Sequence, residues 1–297
     1  MECEDSVKKS SKQAAASFML YQLFIILFSL VVLPLFAMSG NANFANAIGG
    51  ACVVEILAIV VIARMYKKRF QITIPHSGRG LNLKLIMKAS VIFVAINYSL
   101  NAIFKTVNDV LGMIGYQLNY FDSFMLHGSW EEIFYLVLDL LIVTPIVEEI
   151  YYRGILLNGL KRHGVIFALF ASSLLFGLAH GSMPRAISMF SSSFVLGYLF
   201  LKTNSIIPGI IVHMLNNGVT IVQSLFVDNV VVYGIVTLFI IGSVIYTLYY
   251  AYKNIYNMKQ YVTLHSGVSF IEFFKNWQVI AVCIVLVLYM LPIIVKV

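Results

Sequence analysis

Charge is scarce in this 297-residue chain. Asp, Glu, Lys and Arg together make up 11% of it, against roughly 25% in a soluble globular domain. So few charges cannot cover a water-facing surface, which excludes a soluble enzyme, a disordered chain and a nucleic-acid-binding domain. Cysteine is nearly missing as well. Cys3, Cys52 and Cys283 are odd in number and share no motif spacing, so they build neither a disulfide framework nor a zinc signature. There is no fixed-period repeat and no low-complexity segment. What fills the chain instead is apolar: 60% of residues are hydrophobic and the mean hydropathy is +0.90. The bilayer is therefore the solvent for most of the chain.

Apolar runs of about 20 residues each read as membrane helices. Nine are predicted, near 17–38, 48–66, 83–104, 132–154, 164–180, 185–201, 206–226, 230–252 and 277–295. They are long and unbroken rather than alternating, which argues against strands. The fold class is an all-α polytopic membrane protein, a single integral domain over 1–297. The first run follows Lys8, Lys9 and Lys12 as a secretory signal would, but at 22 residues it exceeds a cleavable apolar core and reads as a retained span. With the N-terminus inside, only Lys105, Arg185 and Lys296 of the 20 Lys and Arg fall outside. That bias predicts an N-in, C-out topology. It also accounts for the net charge of +7 without nucleic acid. Trp130 and Trp277 stand at span starts, where aromatic side chains favour the interface. Small residues (Gly177, Gly181, Ser191, Ser192, Ser193, Gly197) mark the fifth and sixth spans as bundle-buried, since small side chains let membrane helices approach closely.

Ionisable side chains inside spans are costly and mark functional candidates. The intramembrane acids are Glu55, Asp139, Glu148 and Glu149, and the histidines His180 and His213. Residues four apart share a helix face. Glu149 is thus placed to pair with Arg153, while Glu148 is turned about 100° away. An ion pair near the cytoplasmic boundary would read the same. Phe176 and His180 share a face, so the ring can wall a pocket for the imidazole. His213 and Asn217 share another, an arrangement that plain helix–helix hydrogen bonding would also produce. Taken together, the groups are more specific. A Glu can act as general base on water, and His and Asn donors can stabilise an oxyanion. Glu55 and Asp139 have no motif partner and read as structural or as lining a water-filled entry.

The ordered set E-E-x-x-x-R (Glu148, Glu149, Arg153), F-x-x-x-H (Phe176, His180) and H-x-x-x-N (His213, Asn217) resembles the CPBP intramembrane proteases, also called the Abi or type II CAAX-protease family. The resemblance covers about 132–226, with flanking spans at 17–104 and 230–295. It implies a membrane endopeptidase acting on a membrane-associated peptide or lipidated protein. By that analogy Glu148 activates water, His180 helps position it, His213 and Asn217 form an oxyanion hole, and Glu149 and Arg153 brace the site. The bacterial branch is associated with bacteriocin self-immunity and with pheromone or prenyl-protein processing. The loop-poor plan points to a bacterial plasma membrane. A non-catalytic scaffold, immunity or regulatory protein of the same fold is the alternative, and a proton-coupled transporter a more distant one. Two chemistries stay open. Glu148, His180 and His213 could supply three zinc ligands, as the metalloprotease name implies. A metal-free glutamate mechanism needs no cofactor and makes better use of Asn217, a poor zinc ligand but a good donor.

Depth poses a problem for upright helices. His180 lies roughly 24 Å from the inner end of its span and His213 about 10 Å into its own. Tilt, an inner funnel, or a break at Gly181 or Pro208 has to bring them level. Continuation of the fourth helix to about 160 would set Glu148 between them.

Overall fold

The computed structural model describes residues 9, 12–14, 16–23, 44–70, 73–76, 81–118, 129–261, 275, 277–290 and 294–296. Most of the first expected span, the tip of the expected outer loop, and His127 and His265 lie outside them. The described chain is a helical bundle. Helical residues at 12–14 and 16–23 precede α1 (Phe44–Phe70), α2 (Leu83–Gly112) and the short strand β1 (Tyr116–Leu118). The helix α3 covers 130–160. It is followed by α4 (Val165–Leu178), α5 (Met183–Thr203), α6 (Ile207–Leu225), α7 (Val230–Tyr261), α8 (Trp277–Met290) and the strand β2 (Ile294–Lys296).

Local chemistry sets the ends of these helices. Asn82 Oδ1 accepts from the Leu85 amide at the start of α2. Ser129 and Glu132 form a reciprocal capping box at the start of α3. Pro184 and Pro208 open α5 and α6, where a missing N–H is harmless. Asn204 closes α5 in the left-handed region at φ 46°. Trp130 and Trp277 are the first residues of their helices and are 86% and 64% exposed.

Among the described residues three helices are long and apolar enough to cross a bilayer: Leu83–Gly112, Met183–Thr203 and, within α7, Val230–Asn254. They establish an all-helical integral membrane protein. The nine-span count and the orientation remain expectations of the sequence. Only 6% of the apolar window of α7 is buried. Its exposed Val231, Ile235, Leu238, Ile241, Ile245 and Leu248 recur at helical spacing, a stripe suited to lipid rather than water.

Three expectations need correction. The helix of the fifth span is shorter than expected. At 14 residues α4 is about 21 Å long, short of the roughly 30 Å hydrocarbon core. It starts after Gly164 (φ 136°) and ends in a turn through His180 and Gly181 (φ 75°). The third span runs beyond 104 to Gly112, so the outer connection begins later than expected. Finally, β1 and β2 form a small antiparallel ladder with Gln117 opposite Val295, although no strand was expected.

The helix α3 is the spine of the candidate site. Its π turns at Asp139–Val143 and Ile150–Leu157 flank the α-helical Thr144–Glu149, and the helix ends at Leu160 before a 3-10 turn. Pro145 explains the first. A proline inside a helix lacks a donor and crowds the carbonyl four residues back, and a widened turn relieves both. α3 packs against α1, α4 and α6, while α2 packs against α5, α6 and α7. Tyr151, Tyr152, Leu156, Phe167, Leu175 and Phe176 fill the larger core with almost no exposure. Tyr21 of the N-terminal stretch stacks on Tyr151 at 4.5 Å between centroids. Phe93, Leu196, Leu199 and Val212 form a second core between α2, α5 and α6. Gly177 lets α4 and α5 touch: a Cβ there would lie 2.5 Å from the Ala186 carbonyl oxygen and 2.8 Å from Phe190 Cβ.

Candidate functional site

The seven motif residues come from α3, from α4 and the turn that follows it, and from α6. Arg153 is buried to 1% exposure and nevertheless satisfied. Nη1 donates to Glu149 Oε1 at 2.7 Å, the pairing expected from their spacing. Nη2 donates to Ser193 Oγ at 2.7 Å and to the Ser193 carbonyl at 3.3 Å. The guanidinium carbon also stands 4.6 Å from the centre of the Phe176 ring. Ser193 therefore completes the Arg153 site. The sequence marked it only as one of a run of small residues.

Glu149 is fully buried. Its second oxygen lies beside Gly209 in the first turn of α6, where an added Cβ would come within 2.7 Å of it. Glycine makes room there, and the positive end of the α6 dipole favours a carboxylate. Glu149 Oε1 also lies 3.5 Å from His213 Nδ1.

Glu148 is the looser of the two acids. Its side chain is 17% exposed and Oε2 lies 3.7 Å from His213 Nε2. Buried Glu148 Oε2 and His213 Nδ1 have no hydrogen-bond partner. The imidazole thus sits between two carboxylates, one facing each ring nitrogen. Both separations exceed an ordinary hydrogen bond.

Phe176 supplies the alignment that straight helices could not. Its ring packs edge-on against His180 at 4.8 Å and against His213 at 6.1 Å. His180 lies in the turn after α4, at the break anticipated at Gly181. Its Nδ1 is 2.8 Å from the Phe176 carbonyl. A carbonyl only accepts, so the proton sits on Nδ1 and Nε2 keeps a lone pair.

Asn217 does not simply stand free beside His213. Its Nδ2 donates to the Leu140 carbonyl in the first π turn of α3 at 2.8 Å. Its neighbour Asn216, named in no motif role, is 3% exposed and donates to Asn217 Oδ1 at 3.3 Å. Glu55 and Asp139 are drawn together across α1 and α3. The Thr144 hydroxyl donates to Asp139 Oδ1 at 3.3 Å. Among the described residues no three His, Cys, Asp or Glu side chains converge as a metal-ligand set.

Fold and site together define a helical membrane protein with a buried Glu–Arg–Glu–His cluster. Residues 124–219 match the family described as type II CAAX prenyl endopeptidase Rce1-like. All three motifs fall in that segment, and the CPBP resemblance holds for it. The putative membrane peptidase YdiL of Bacillus subtilis (strain 168) is 29% identical over 85 residues, 28% of this chain. The match spans about a third (35%) of that relative's length. No solved structure matches.

Proposed function

We propose that this protein is an intramembrane endopeptidase that hydrolyses a membrane-associated peptide or lipidated protein with a water activated by Glu148. The observation that carries the reading is the facing pair, Glu148 Oε2 and His213 Nε2 at 3.7 Å. It stands beside a second carboxylate already neutralised by Arg153. One acid is thus held for structure and the other left for chemistry.

In the proposed reaction Glu148 takes a proton from water as the oxygen attacks the scissile carbonyl carbon. His180 Nε2 accepts a hydrogen bond from the water's other O–H, which stays on the attacking oxygen, and orients it. The oxyanion takes hydrogen bonds from a His213 N–H and from the remaining N–H of Asn217. The C–N bond then breaks, and Glu148 returns its proton to the leaving amine. No metal is required, and the Asn217 amide gains a role that zinc chemistry would not give it. The family description and the exposed apolar helices favour a substrate presented from the membrane, and a bacterial plasma membrane is the proposed location.

The test compares membrane peptides by mass spectrometry from cells carrying wild type, Glu148→Ala, Glu148→Gln or His213→Ala at matched levels. A peptide lost in all three variants supports the reading. A phenotype that persists in all three makes the protein a scaffold or immunity factor instead.

A further inference from the structure

Asn217 ends a row of hydrogen-bonded side chains that the three motifs do not contain. Ser188 Oγ donates to Asn101 Oδ1 at 3.2 Å, and Asn101 Nδ2 to Asn97 Oδ1 at 3.2 Å. Asn97 Nδ2 donates to Asn216 Oδ1 at 3.2 Å, Asn216 Nδ2 to Asn217 Oδ1 at 3.3 Å, and Asn217 Nδ2 to the Leu140 carbonyl at 2.8 Å. The row crosses α5, α2, α6 and α3, and every link points the same way. Ser188, Asn97 and Asn216 are buried.

The last link accounts for the direction. In the π turn the Thr144 N–H bonds to the Asp139 carbonyl. The next residue, Pro145, has no N–H. Leu140 has thereby lost both the α-type and the π-type donor to its carbonyl, and a carbonyl shielded from water by the bundle needs another. Asn217 Nδ2 supplies it. A carboxamide has nearly the same shape either way round, so partners rather than packing decide its orientation. The Leu140 carbonyl can only accept and selects the NH2 end. The Asn216 NH2 can only donate and selects the oxygen end. Asn97 orients Asn216 by the same logic.

We propose that Asn97 and Asn216 are positioning residues: they hold the Asn217 carboxamide the one way round that keeps one N–H on Leu140 and leaves the other for the substrate oxyanion. The proposal rests on the peptidase reading above. Asn97 lies on α2, outside every motif and outside 124–219.

The test uses full-length protein in lipid nanodiscs and a quenched peptide carrying a prenylated cysteine near its C-terminus. Asn97→Ala, Asn97→Asp and Asn216→Ala should each lower kcat about tenfold while KM stays within about twofold, a fraction of the loss seen when an oxyanion donor is deleted outright. Asn97→Asp keeps the volume but sets an acceptor against Asn216 Oδ1, so it should fall at least as far as Asn97→Ala. A second readout does not need turnover. In Asn-15N-labelled Glu148→Gln protein, the Asn217 side-chain amide signal (assigned by its loss in Asn217→Ser) should move on adding Asn97→Asp, although the two residues do not touch. An unmoved signal overturns the proposal, and so does unchanged kcat or a change confined to KM. In those cases Glu148-dependent cleavage by the parent protein leaves the peptidase reading standing. A moved signal with no Glu148-dependent cleavage of any peptide sinks that reading instead, and the catalytic part of this proposal with it.

Discussion

His213 lies between Glu148 and Glu149, with Nε2 3.7 Å from the first and Nδ1 3.5 Å from the second. One imidazole therefore joins the free acid to the acid that Arg153 neutralises. Residues that act as a unit lose function together rather than additively. Glu148→Gln should lower turnover by about 10²–10⁴-fold, the range of a general base. The double variant Glu148→Gln/His213→Ala should be little worse than the poorer single. Single-turnover cleavage assays check this, and losses that multiply would mean that the two act independently.

Removing one partner of a buried ion pair strands the other charge. Arg153→Ala should therefore destabilise the folded protein by about 3–5 kcal/mol, read as a lower melting temperature in detergent. Glu149 would remain buried at 0% exposure with its charge uncompensated. Arg153→Met combined with Glu149→Met should recover part of the stability and none of the activity. A single variant that melts with wild type would contradict the bracing role.

The first turn of α6 offers a sharper comparison. At Gly209 a new Cβ would press to within 2.7 Å of Glu149 Oε2, on a carboxylate whose other oxygen is held by Arg153. At Gly218, on the same helix, the nearest atom would be Leu141 Cδ1 at 3.7 Å, an ordinary contact. Gly209→Ala should cost about 1–3 kcal/mol, as overpacking does, and reduce activity by displacing the carboxylate. Gly218→Ala should be tolerated. Equal melting temperatures for the two would show that Glu149 can yield.

Metal dependence is decided by composition and by inhibition. Purified active protein should hold less than one zinc per five chains and keep its activity within about twofold after chelator treatment, because a glutamate base alone can activate water. Stoichiometric zinc that disappears in His180→Ala would replace the proposed mechanism with a metal-based one.

Phe176 touches Arg153, His180 and His213 at once. Phe176→Leu keeps an apolar group but loses the ring. It should lower kcat more than stability, since both imidazoles lose the surface that orients them. A matching fall in kcat and in melting temperature would make the ring a packing residue only.

Helical spacing was enough to foresee the Glu149–Arg153 pair and the Phe176–His180 contact, because each lies within one turn of backbone. The place where α4 stops was signalled only by Gly181, and its 14-residue length was not foreseen. Nothing local indicated that Ser193 would complete the Arg153 site, since it arrives from forty residues away. Asn216 stood in plain view beside Asn217, but its role depends on Asn97 of another helix. Gly209 carried no signal at all until Glu149 was seen against it.

The sequence by itself determined the solvent, the helical class and the short list of groups able to do chemistry. Scarce charge forces burial in lipid, and buried ionisable groups are too costly to be numerous. Tertiary structure decided which of those groups meet. It set His213 between two acids, closed Ser193 on Arg153, and turned Asn217 toward a carbonyl that Pro145 and the π turn had left without a donor. Such contacts depend on helix ends, tilts and crossings built by distant residues, and no local spacing encodes them.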